Sequence, residues 1–500
     1  MEFFFPREQP PLGWAAAMEG HPLSSATSPL FIIPSEILEM IAAYVAREES
    51  DLASLALVNS SCRQLARTFQ FRSVGLDYNE PSLGTLGLLQ KEARHKHRIT
   101  ASPSMGICIR KLFVAGTYWK YVDTIVPSPS SKNNAVDRNE DSDDSEKGTP
   151  TERRNRLATI LDNDVKYLYW PAVYLVIPRL SSLRSLTIKN VTLNDEFLDC
   201  LVGLPLEDLT IRGNFIHPLA TNPSVRDICP QLKAIDVGVH WKSQFVLHRS
   251  GPFDSSPFFQ ALFGSCAAKL QNICIQQNII GKQEDKYSPI HFNNLSFPEL
   301  KSLTILNPGR ILAASALWSI LRQGLTFFDI RYDKPSFVHP ISGHSRIDTL
   351  QTLILHANYR PKRDETTLLR FIESNKQIKT LVMTYHYRDS FIVRALDSIR
   401  HHNNLQKLYI QWFERNISED SLGALSQLCQ VEVLRIGAGM GRRHCYDWLV
   451  DHESIIPYIR CLRRLRRLII VRDTYQRMAN DPSWVVPMRY YDHRTLGSRL

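Results

Sequence analysis

Large apolar residues recur along most of the chain with one spacing, at positions i, i+3 and i+5 of short segments. Residues i+3 and i+5 lie on the same side of an extended strand, because successive strand side chains alternate between two faces. The pattern therefore predicts a series of short strands with one buried side. Eleven segments follow it, and a twelfth lies earlier in the chain: Leu183/Leu186/Ile188, Leu206/Leu209/Ile211, Leu232/Ile235/Val237, Leu270/Ile273/Ile275, Leu300/Leu303/Ile305, Leu325/Phe328/Ile330, Leu350/Leu353/Leu355, Ile378/Leu381/Met383, Leu405/Leu408/Ile410, Val431/Leu434/Ile436, Leu465/Leu468/Ile470 and the earlier Ile109/Leu112/Val114.

The intervals between the eleven segments are mostly 23 to 30 residues, with longer gaps of 38 and 34. Helix-like stretches lie between them, at 196–201, 258–263, 314–321, 366–372, 391–399, 422–428 and 448–459. A strand, a loop and a helix repeated at this interval resemble the leucine-rich repeat, whose period is about 20–29 residues. The resemblance implies an irregular solenoid with a curved parallel sheet and outer helices. An ordinary α/β domain with a parallel sheet shares the alternation and stays open as an alternative.

A different periodicity precedes the repeats, in residues 31–74. Pro34 suits a helix start because a first-turn residue needs no N–H partner, and Glu36 places a negative charge in the first turn. The apolar residues that follow share one face at 3.6 residues per turn: Ile37, Leu38, Ile41, Tyr44 and Val45. The pattern predicts a helix with a buried face.

Two more short helices are predicted in the same stretch. Ser50 or Asp51 can cap the second helix, and the run 59–61, Asn-Ser-Ser, offers a break before the third. A segment of about forty residues buries too little surface to be stable alone, yet it carries more apolar residues than one mutual contact hides. We therefore expect a partner surface.

This stretch resembles the F-box, the module that docks substrate receptors onto the Skp-type adaptor of cullin ubiquitin ligases. Ile33 and Val45 replace leucines of the family pattern, and Cys62 stands where an aromatic residue often precedes the arginine. The residues that carry the resemblance are Ile33-Pro34, Glu36-Ile37-Leu38, Ile41, Tyr44-Val45, Asp51-Leu52, Leu55, Val58, Arg63 and Leu65-Ala66. The resemblance implies adaptor contacts at Pro34, Ile37, Leu38, Ile41, Leu52, Leu55, Val58 and Leu65.

The two patterns and the local composition divide the chain. We expect a disordered leader at 1–29, the F-box at 30–75, and a linker with the first repeat-like strands at 76–126. Residues 127–156 contain no large apolar residue except Val136, and this acidic insertion is expected to be disordered. The leucine-rich-repeat-like domain would then span 157–475, with a tail at 476–500. The fold class is α/β.

Composition narrows the compartment and the partners. No apolar run reaches 18 residues, and the first residues, Met-Glu-Phe-Phe-Phe-Pro, lack the features of a signal peptide. The nine cysteines include no CxxC pair, so we expect buried, reduced thiols in a cytoplasmic or nuclear protein. The net charge of +10 is modest over 500 residues, so we expect neither nucleic acid nor membrane as a partner.

The sequence contains no recognisable arrangement of catalytic residues, and we expect no cofactor and no metal. The glycines of 437–441 resemble a dinucleotide loop, but the third glycine of the pattern would fall at Arg442. His95, His97, His401 and His402 lack further ligands at a recognisable spacing. Arginines at 442–443 and 460–467 alternate with leucines; they are interpreted as solvated positions between core residues, with a docking patch for acidic substrate left open.

The resemblances together imply a non-catalytic substrate receptor. The F-box would bind the Skp-type adaptor and through it cullin and its RING subunit, while the repeats would hold an unknown protein substrate. Three alternatives stay open: an adaptor-binding scaffold outside ubiquitination, a leucine-rich-repeat protein-binding module with no ligase role, and an RNA-binding or enzymatic protein whose helices only mimic an F-box.

Overall fold

The structure is a computed structural model. It describes residues 33–94, 105–116, 168–193, 195–216, 227–242, 256–280, 295–306, 320, 324–332, 346–357, 365–385, 387–414, 416–438 and 452–471. The chain divides into two compact units, Met1–Ile235 with Gly264–Cys266, and Asp236–Phe263 with Ala267–Leu500. The predicted leader, the acidic insertion and the tail lie outside the described residues, as do His95, His97, Arg442 and Arg443.

The first unit opens with three helices, which we call the helical module: α1 (Ser35–Val45), α2 (Glu49–Val58) and α3 (Ser60–Gln70). Pro34 directly precedes α1, and its carbonyl accepts the N–H groups of Ile37 and Leu38 at 3.0 and 3.1 Å. The break predicted at 59–61 is confirmed, because the Asn59 side chain accepts the Cys62 N–H at 2.7 Å and caps α3.

The capping prediction for α2 was wrong. The helix begins at Glu49 with Glu48 at the N-cap, and no side chain caps it there. Ser50 and Asp51 therefore lie inside the first turn of the helix instead of before it. An acidic residue in the first turn still faces the positive end of the helix dipole, so the sequence stabilises this start by charge rather than by a cap.

Parallel strands follow in the same unit. They are β1 (Ser73–Leu76), β2 (Lys111–Ala115), β3 (Ser185–Leu193) and β4 (Asp208–Ile216), each hydrogen-bonded to the next in parallel. The helices between them are α4 (Glu80–Arg94), α5 (Met105–Cys108), α6 (Trp170–Val176) and α7 (Asp195–Cys200). Strand β5 (Ala234–Lys242) contains the division between the units.

The second unit continues the same arrangement. Its remaining strands are β6 (Asn272–Ile280), β7 (Ser302–Leu306), β8 (Phe327–Tyr332), β9 (Thr352–Ala357), β10 (Thr380–Tyr385), β11 (Lys407–Gln411), β12 (Val433–Gly437) and β13 (Arg467–Val471). They lie side by side in chain order. The helices are α8 (Ser256–Gly264), α9 (Glu365–Ser374), α10 (Asp389–Ile399), α11 (Glu419–Ser426) and α12 (His452–Ile459). Each of the last four packs on its neighbour.

The repeat pattern read from the sequence is confirmed at the level of burial. Every i, i+3 and i+5 residue of the twelve segments is buried except Leu465 and Leu468, which are half-buried. The strand registers match as well, so that Leu381 of β10 pairs with Leu353 of β9 and Leu408 of β11. Within each unit, consecutive strands are neighbours and pair in parallel, as in a leucine-rich-repeat-like solenoid and unlike a doubly wound sheet, whose strand order reverses.

A recurring turn leads into most of the described strands, and the sequence pattern had not included it. The residue three places before position i accepts the N–H of residue i, as Leu180 does for Leu183, Asn375 for Ile378 and Leu462 for Leu465. In most repeats the carbonyl of residue i+1 then accepts two N–H groups from the following repeat. Lys379, for instance, accepts the N–H groups of residues 406 and 407, both at 2.9 Å. These bonds satisfy the backbone at the strand starts and stack one repeat on the next.

No helix in the described parts of the chain is long and apolar enough to cross a membrane.

Candidate partner-binding surface on the helical module

Helix α1 is apolar on two sides. Leu38 and Ala42 are buried, and they pack with Leu65 of α3 and with the partly buried Phe69. A second set faces outward at spacings of three, one and three residues, which forms a single stripe on a helix. Its members are Ile37 (45% exposed), Met40 (68%), Ile41 (41%) and Tyr44 (70%).

Helix α2 adds two adjacent exposed apolar residues at its C-terminal end. Leu57 is 79% exposed and Val58 66%, whereas Leu52 is buried in the module. Arg63 of α3 donates from Nε to the Ala56 carbonyl at 3.2 Å, which fixes this end of α2 against α3. The two leucine-sized side chains are therefore held outward on an anchored helix end.

These exposed residues are a candidate binding surface. Exposed apolar residues are ordinary when scattered singly, but several aligned on one short helix mark an interaction site. The surroundings are polar: Glu36, Glu48 and Asp51 are exposed, and the guanidinium of Arg47 lies 5.0 Å from the ring centre of Tyr44. An apolar stripe with a charged margin is the common anatomy of a protein interface.

The residues implied by the F-box resemblance separate into two groups in the structure. Pro34, Ile37, Ile41 and Val58 are exposed, and Leu55 is half-buried. The other three, Leu38, Leu52 and Leu65, are buried against the rest of the module. The buried leucines pack inside the module and position its helices, and the exposed residues are the ones available to a partner.

Three exposed residues were missing from the sequence-based set: Met40, Tyr44 and Leu57. Helical spacing could have identified two of them, because Met40 and Tyr44 lie three and seven residues after Ile37 and so share its face of the helix. Leu57 had no such signal. It precedes Val58 directly, and only the orientation of α2 against α3 shows that both side chains point outward.

The helical module is joined to the first repeat without a linker. Residues 71 and 72 alone separate α3 from β1, and the Arg72 carbonyl accepts the N–H groups of Arg110 and Lys111 at 3.0 and 2.9 Å. Gln64 of α3 donates to the Cys108 sulfur at 3.9 Å, and both residues are buried. Burial raises the pKa of Cys108 to about 11, so the thiol stays protonated. The module and the first repeats therefore share one packed core.

A buried polar chain lies across three strands of the second unit. His356 of β9 is hydrogen-bonded through Nδ1 to Thr384 Oγ1 of β10, and its Nε2 lies 3.6 Å from Asp329 Oδ1 of β8. Burial raises the pKa of Asp329 to about 6, against the lowering effect of Arg331. Burial, with Arg331 acting in the same direction, lowers the pKa of His356 to about 3.

An aspartate, a histidine and a hydroxyl in contact invite comparison with an acid–base site. A general base works best when its pKa lies near the working pH, and a histidine with a pKa of about 3 is a weak base at neutral pH. We therefore interpret the contacts between Asp329, His356 and Thr384 as polar packing inside the sheet. No cluster of three or more potential metal ligands occurs in the described ranges.

Two large aromatic residues beside the strands, the paired histidines and the arginine-rich stretch take different places in the structure. Trp412 and Tyr387 are buried, so they belong to the core: Trp412 donates from Nε1 to Ser421 Oγ at 3.1 Å, and Tyr387 stacks on Phe391 at 4.9 Å between ring centres. His401 is exposed and His402 is buried. The arginines at 460, 463, 464, 466 and 467 are exposed, as predicted for solvated positions between leucines.

Comparisons with known proteins find only weak similarity to solved structures. Neither a protein-family model nor a curated protein matches the chain. Among solved structures, a leucine-rich repeat-containing protein, LegL7 from Legionella pneumophila, is 14% identical with a TM-score of 0.30, covering 56% of this chain and 90% of that one. A Bacteroides fragilis protein is 14% identical with a TM-score of 0.28, covering 58% and 83%. Similarity this low carries no argument about function.

Proposed function

We propose that the chain is the substrate-recognition subunit of an SCF-type ubiquitin ligase, in which the helical module docks onto a Skp-type adaptor and the repeats bind a protein substrate. The observation that carries the proposal is the exposed apolar stripe on α1 together with the exposed apolar end of α2. They occur on the segment whose residue order and spacing resemble the F-box.

Exposing these apolar side chains to water is unfavourable, and burying them against a partner would recover free energy. Burying one side chain of this size is worth about 1.5–3 kcal/mol. The six exposed residues, Ile37, Met40, Ile41, Tyr44, Leu57 and Val58, thus offer enough free energy to supply the centre of a stable interface, even after the ordering costs of association. A protein partner with a complementary apolar groove is the natural occupant.

The proposed mechanism is proximity. The adaptor and cullin, with a RING subunit, bring an activated ubiquitin-conjugating enzyme, and the repeats hold a substrate beside it, which raises the effective concentration of the two reactants. The chain performs no bond chemistry itself. The packed junction between α3 and β1, with its Arg72 and Gln64 hydrogen bonds, supports this role because it holds the adaptor-binding helices firmly against the first repeats.

The test is co-purification of the chain with a Skp-type adaptor and a cullin. The intact chain is expected to recover both proteins, and a Met40→Ser, Tyr44→Ser, Leu57→Ser variant is expected to recover neither. A matched control, Leu83→Ser with Leu88→Ser, changes exposed apolar residues of α4 and should recover both. Exposed positions are used because they leave the fold intact.

Substituting the buried residues would not test the interface. Leu38→Ala is expected to cost about 2–5 kcal/mol of stability, so lost binding could reflect unfolding alone. If the intact chain recovers neither protein, the receptor proposal fails. Recovery of the adaptor without cullin would instead identify an adaptor-binding scaffold that acts outside ubiquitination.

A further inference from the structure

A strip of positive charge runs along the strand starts of the second unit. We define the basic edge as Lys376, Lys379, Lys407, Arg463, Arg464 and Arg466, all of which are exposed. They lie in the turns that lead into β10, β11 and β13 or at the first position of a strand. The four stretches 373–380, 400–407, 427–433 and 460–467 contain nine Lys and Arg residues against two Glu.

The stacking of the turns places these charges along the same edge of the sheet, although they occupy different positions within their repeats and the turn before β12 carries Glu432 and no cation. The Lys379 carbonyl accepts from residues 406 and 407, the Gln406 carbonyl from 432 and 433, and the Glu432 carbonyl from 466 and 467, at 2.8 to 3.1 Å. Side chains at equivalent positions of neighbouring repeats are therefore held about 4.8 Å apart, the spacing of hydrogen-bonded strands. Three such steps separate β10 from β13, so the edge is about 14 Å long.

Ion pairs among the described residues neutralise little of this charge. Glu432 lies 3.8 Å from Arg466 Nη1, but the Arg466 side chain is 80% exposed, and an exposed pair of this kind contributes little. Arg400 and Arg460 follow the C-terminal ends of α10 and α12, where a cation stabilises the helix dipole, so we leave them out of the edge. The remaining cations follow no helix end so closely, apart from Lys376 after α9.

We propose that the basic edge binds an acidic polypeptide segment of about four extended residues, carrying Asp, Glu or phosphorylated side chains. The length follows from the geometry, since an extended chain advances about 3.3 Å per residue over a 14 Å edge. Guanidinium groups bind carboxylate and phosphate oxygens in pairs, which gives Arg463, Arg464 and Arg466 the main part of the contact. In the proposed receptor this segment would belong to the substrate, and to that extent the inference rests on the proposed function.

A polypeptide fits the edge better than a nucleic acid does. Single-stranded nucleic acid is usually held by basic groups together with aromatic side chains on which the bases stack. The stretches that contain the basic edge, 373–380, 400–407, 427–433 and 460–467, include no Phe, Tyr or Trp on which a base would stack. Carboxylates or phosphates on a flexible peptide need only the charges, which the edge supplies.

The test is fluorescence anisotropy of labelled octapeptides with the full-length chain, without adaptor. The probes are an octapeptide of alternating Asp and Glu, an octapeptide with four phosphoserines, and a Gln/Asn octapeptide. We expect the two acidic peptides to bind and the neutral one not to bind. Affinity should fall as salt rises from 50 to 500 mM, because the charges are exposed.

The variant Arg463→Gln, Arg464→Gln, Arg466→Gln should bind the acidic peptides about tenfold more weakly or worse, at roughly twofold to fivefold per charge. The matched control, Lys91→Gln, Arg94→Gln, Arg179→Gln, removes three exposed charges from the first unit and should change affinity less than twofold. The relative affinities of the carboxylate and phosphoserine peptides identify which acidic group the edge prefers.

Three results would overturn the inference: no binding of either acidic peptide by the intact chain, equal weakening in both variants, or tighter binding of a twelve-nucleotide oligothymidine than of either peptide. Because the assay contains no adaptor, its failure is distinct from failure of the receptor proposal. The arginine variant should also recover adaptor and cullin like the intact chain, because it leaves α1 and α2 unchanged.

Discussion

Single residues inside the repeat sheet show how burial changes acid–base behaviour. Asp329 and His356 belong to neighbouring strands and face each other at 3.6 Å, and both lose solvation by burial. Loss of solvation disfavours whichever form is charged, which raises the pKa of the carboxyl and lowers that of the imidazole. At neutral pH the histidine is therefore neutral and the aspartate carries a charge that its surroundings disfavour.

These shifts predict a pH dependence of stability with two opposed parts. Folded Asp329 keeps its proton up to about pH 6, whereas the unfolded carboxyl loses it near pH 4, so this residue makes stability fall as pH rises from about 4 to 6. Folded His356 stays neutral down to about pH 3, whereas the unfolded imidazole is protonated below about 6.5. That residue makes stability rise over the same range, so the intact chain should show a shallow net dependence.

The variant Asp329→Asn separates the two parts. It removes the contribution of Asp329, which decreases stability as pH rises. The stability of the variant should therefore rise more steeply between pH 4 and 6, by up to about 1.4 kcal/mol per pH unit relative to the intact chain. The measurement is urea unfolding at pH 4, 5, 6 and 7. An unchanged slope would contradict the assigned environment of Asp329. In the control His356→Gln, stability should instead fall with rising pH.

Equivalent positions in successive repeats need not carry equivalent chemistry. Asn375 is fully buried three residues before Ile378; its Oδ1 accepts the Ile347 N–H at 2.8 Å, and its Nδ2 donates to the Phe371 carbonyl at 2.6 Å. His402 occupies the same position one repeat later, and burial is the main cause that lowers its pKa. The turn thus requires a residue that fits the core, and an aliphatic, amide or imidazole side chain meets that need.

At the scale of elements, the cap on α3 is the simplest test of the helical module. The Asn59 side chain accepts the Cys62 N–H at 2.7 Å. Asn59→Ala removes this acceptor and should destabilise the first unit by about 1 kcal/mol, whereas Asn59→Asp should retain most of the stability. Urea unfolding followed by circular dichroism measures both. A loss of equal size in the two variants would show that the amide acts through a contact other than the cap.

The strands were largely predictable from the sequence, and one long helix was not. Twelve of the thirteen described strands contain the last two positions of an apolar triplet, because the repeats bury the same three positions, with Leu465 and Leu468 only half-buried. Helix α4 was missed because Pro81, Gly84 and Gly87 lower its helix propensity. Its start has a signal nonetheless: Asn79 Oδ1 accepts the Ser82 N–H at 2.8 Å, as an N-cap does.

The candidate surface was only partly predictable, because both sides of α1 are apolar. Sequence spacing identifies which residues share a side of the helix, but it does not tell which side faces α3. Leu38 and Ile37 are adjacent and similar in size, yet one is 1% and the other 45% exposed. Tertiary packing makes that choice, and the sequence-based set consequently mixed interior and surface residues.

At the scale of the whole molecule, cysteine exposure gives a test that needs no partner. Burial had been expected for all nine cysteines, and that was wrong for Cys429 and Cys461, which are exposed, and for Cys274, which is half-buried. Cys445 lies outside the described residues. Five are buried, namely Cys62, Cys108, Cys200, Cys229 and Cys266, and burial raises the pKa of each of these thiols.

Thiol labelling of the native chain should therefore proceed in two phases. Cys429 and Cys461 should react with a maleimide within minutes at pH 7.5, and the five buried thiols should react only after denaturation, because the reactive species is the thiolate. Peptide mass spectrometry of the labelled chain locates the modified residues. Rapid labelling of Cys108 in particular would contradict a packed junction between the helical module and the repeats.

The pairing of β2 with β3 has a consequence for how such a chain can change over time. Residues 111–115 align one to one with 185–189, although the whole stretch 116–184 intervenes between them. The sheet therefore accepts a long excursion of the chain between neighbouring strands without altering its register, and the entropic cost of closing a longer loop grows only slowly with length. A lineage could lengthen or shorten the part of this stretch that precedes α6 while the described repeats kept their neighbours, whereas α6 and the turn before β3 contribute buried residues and must be kept.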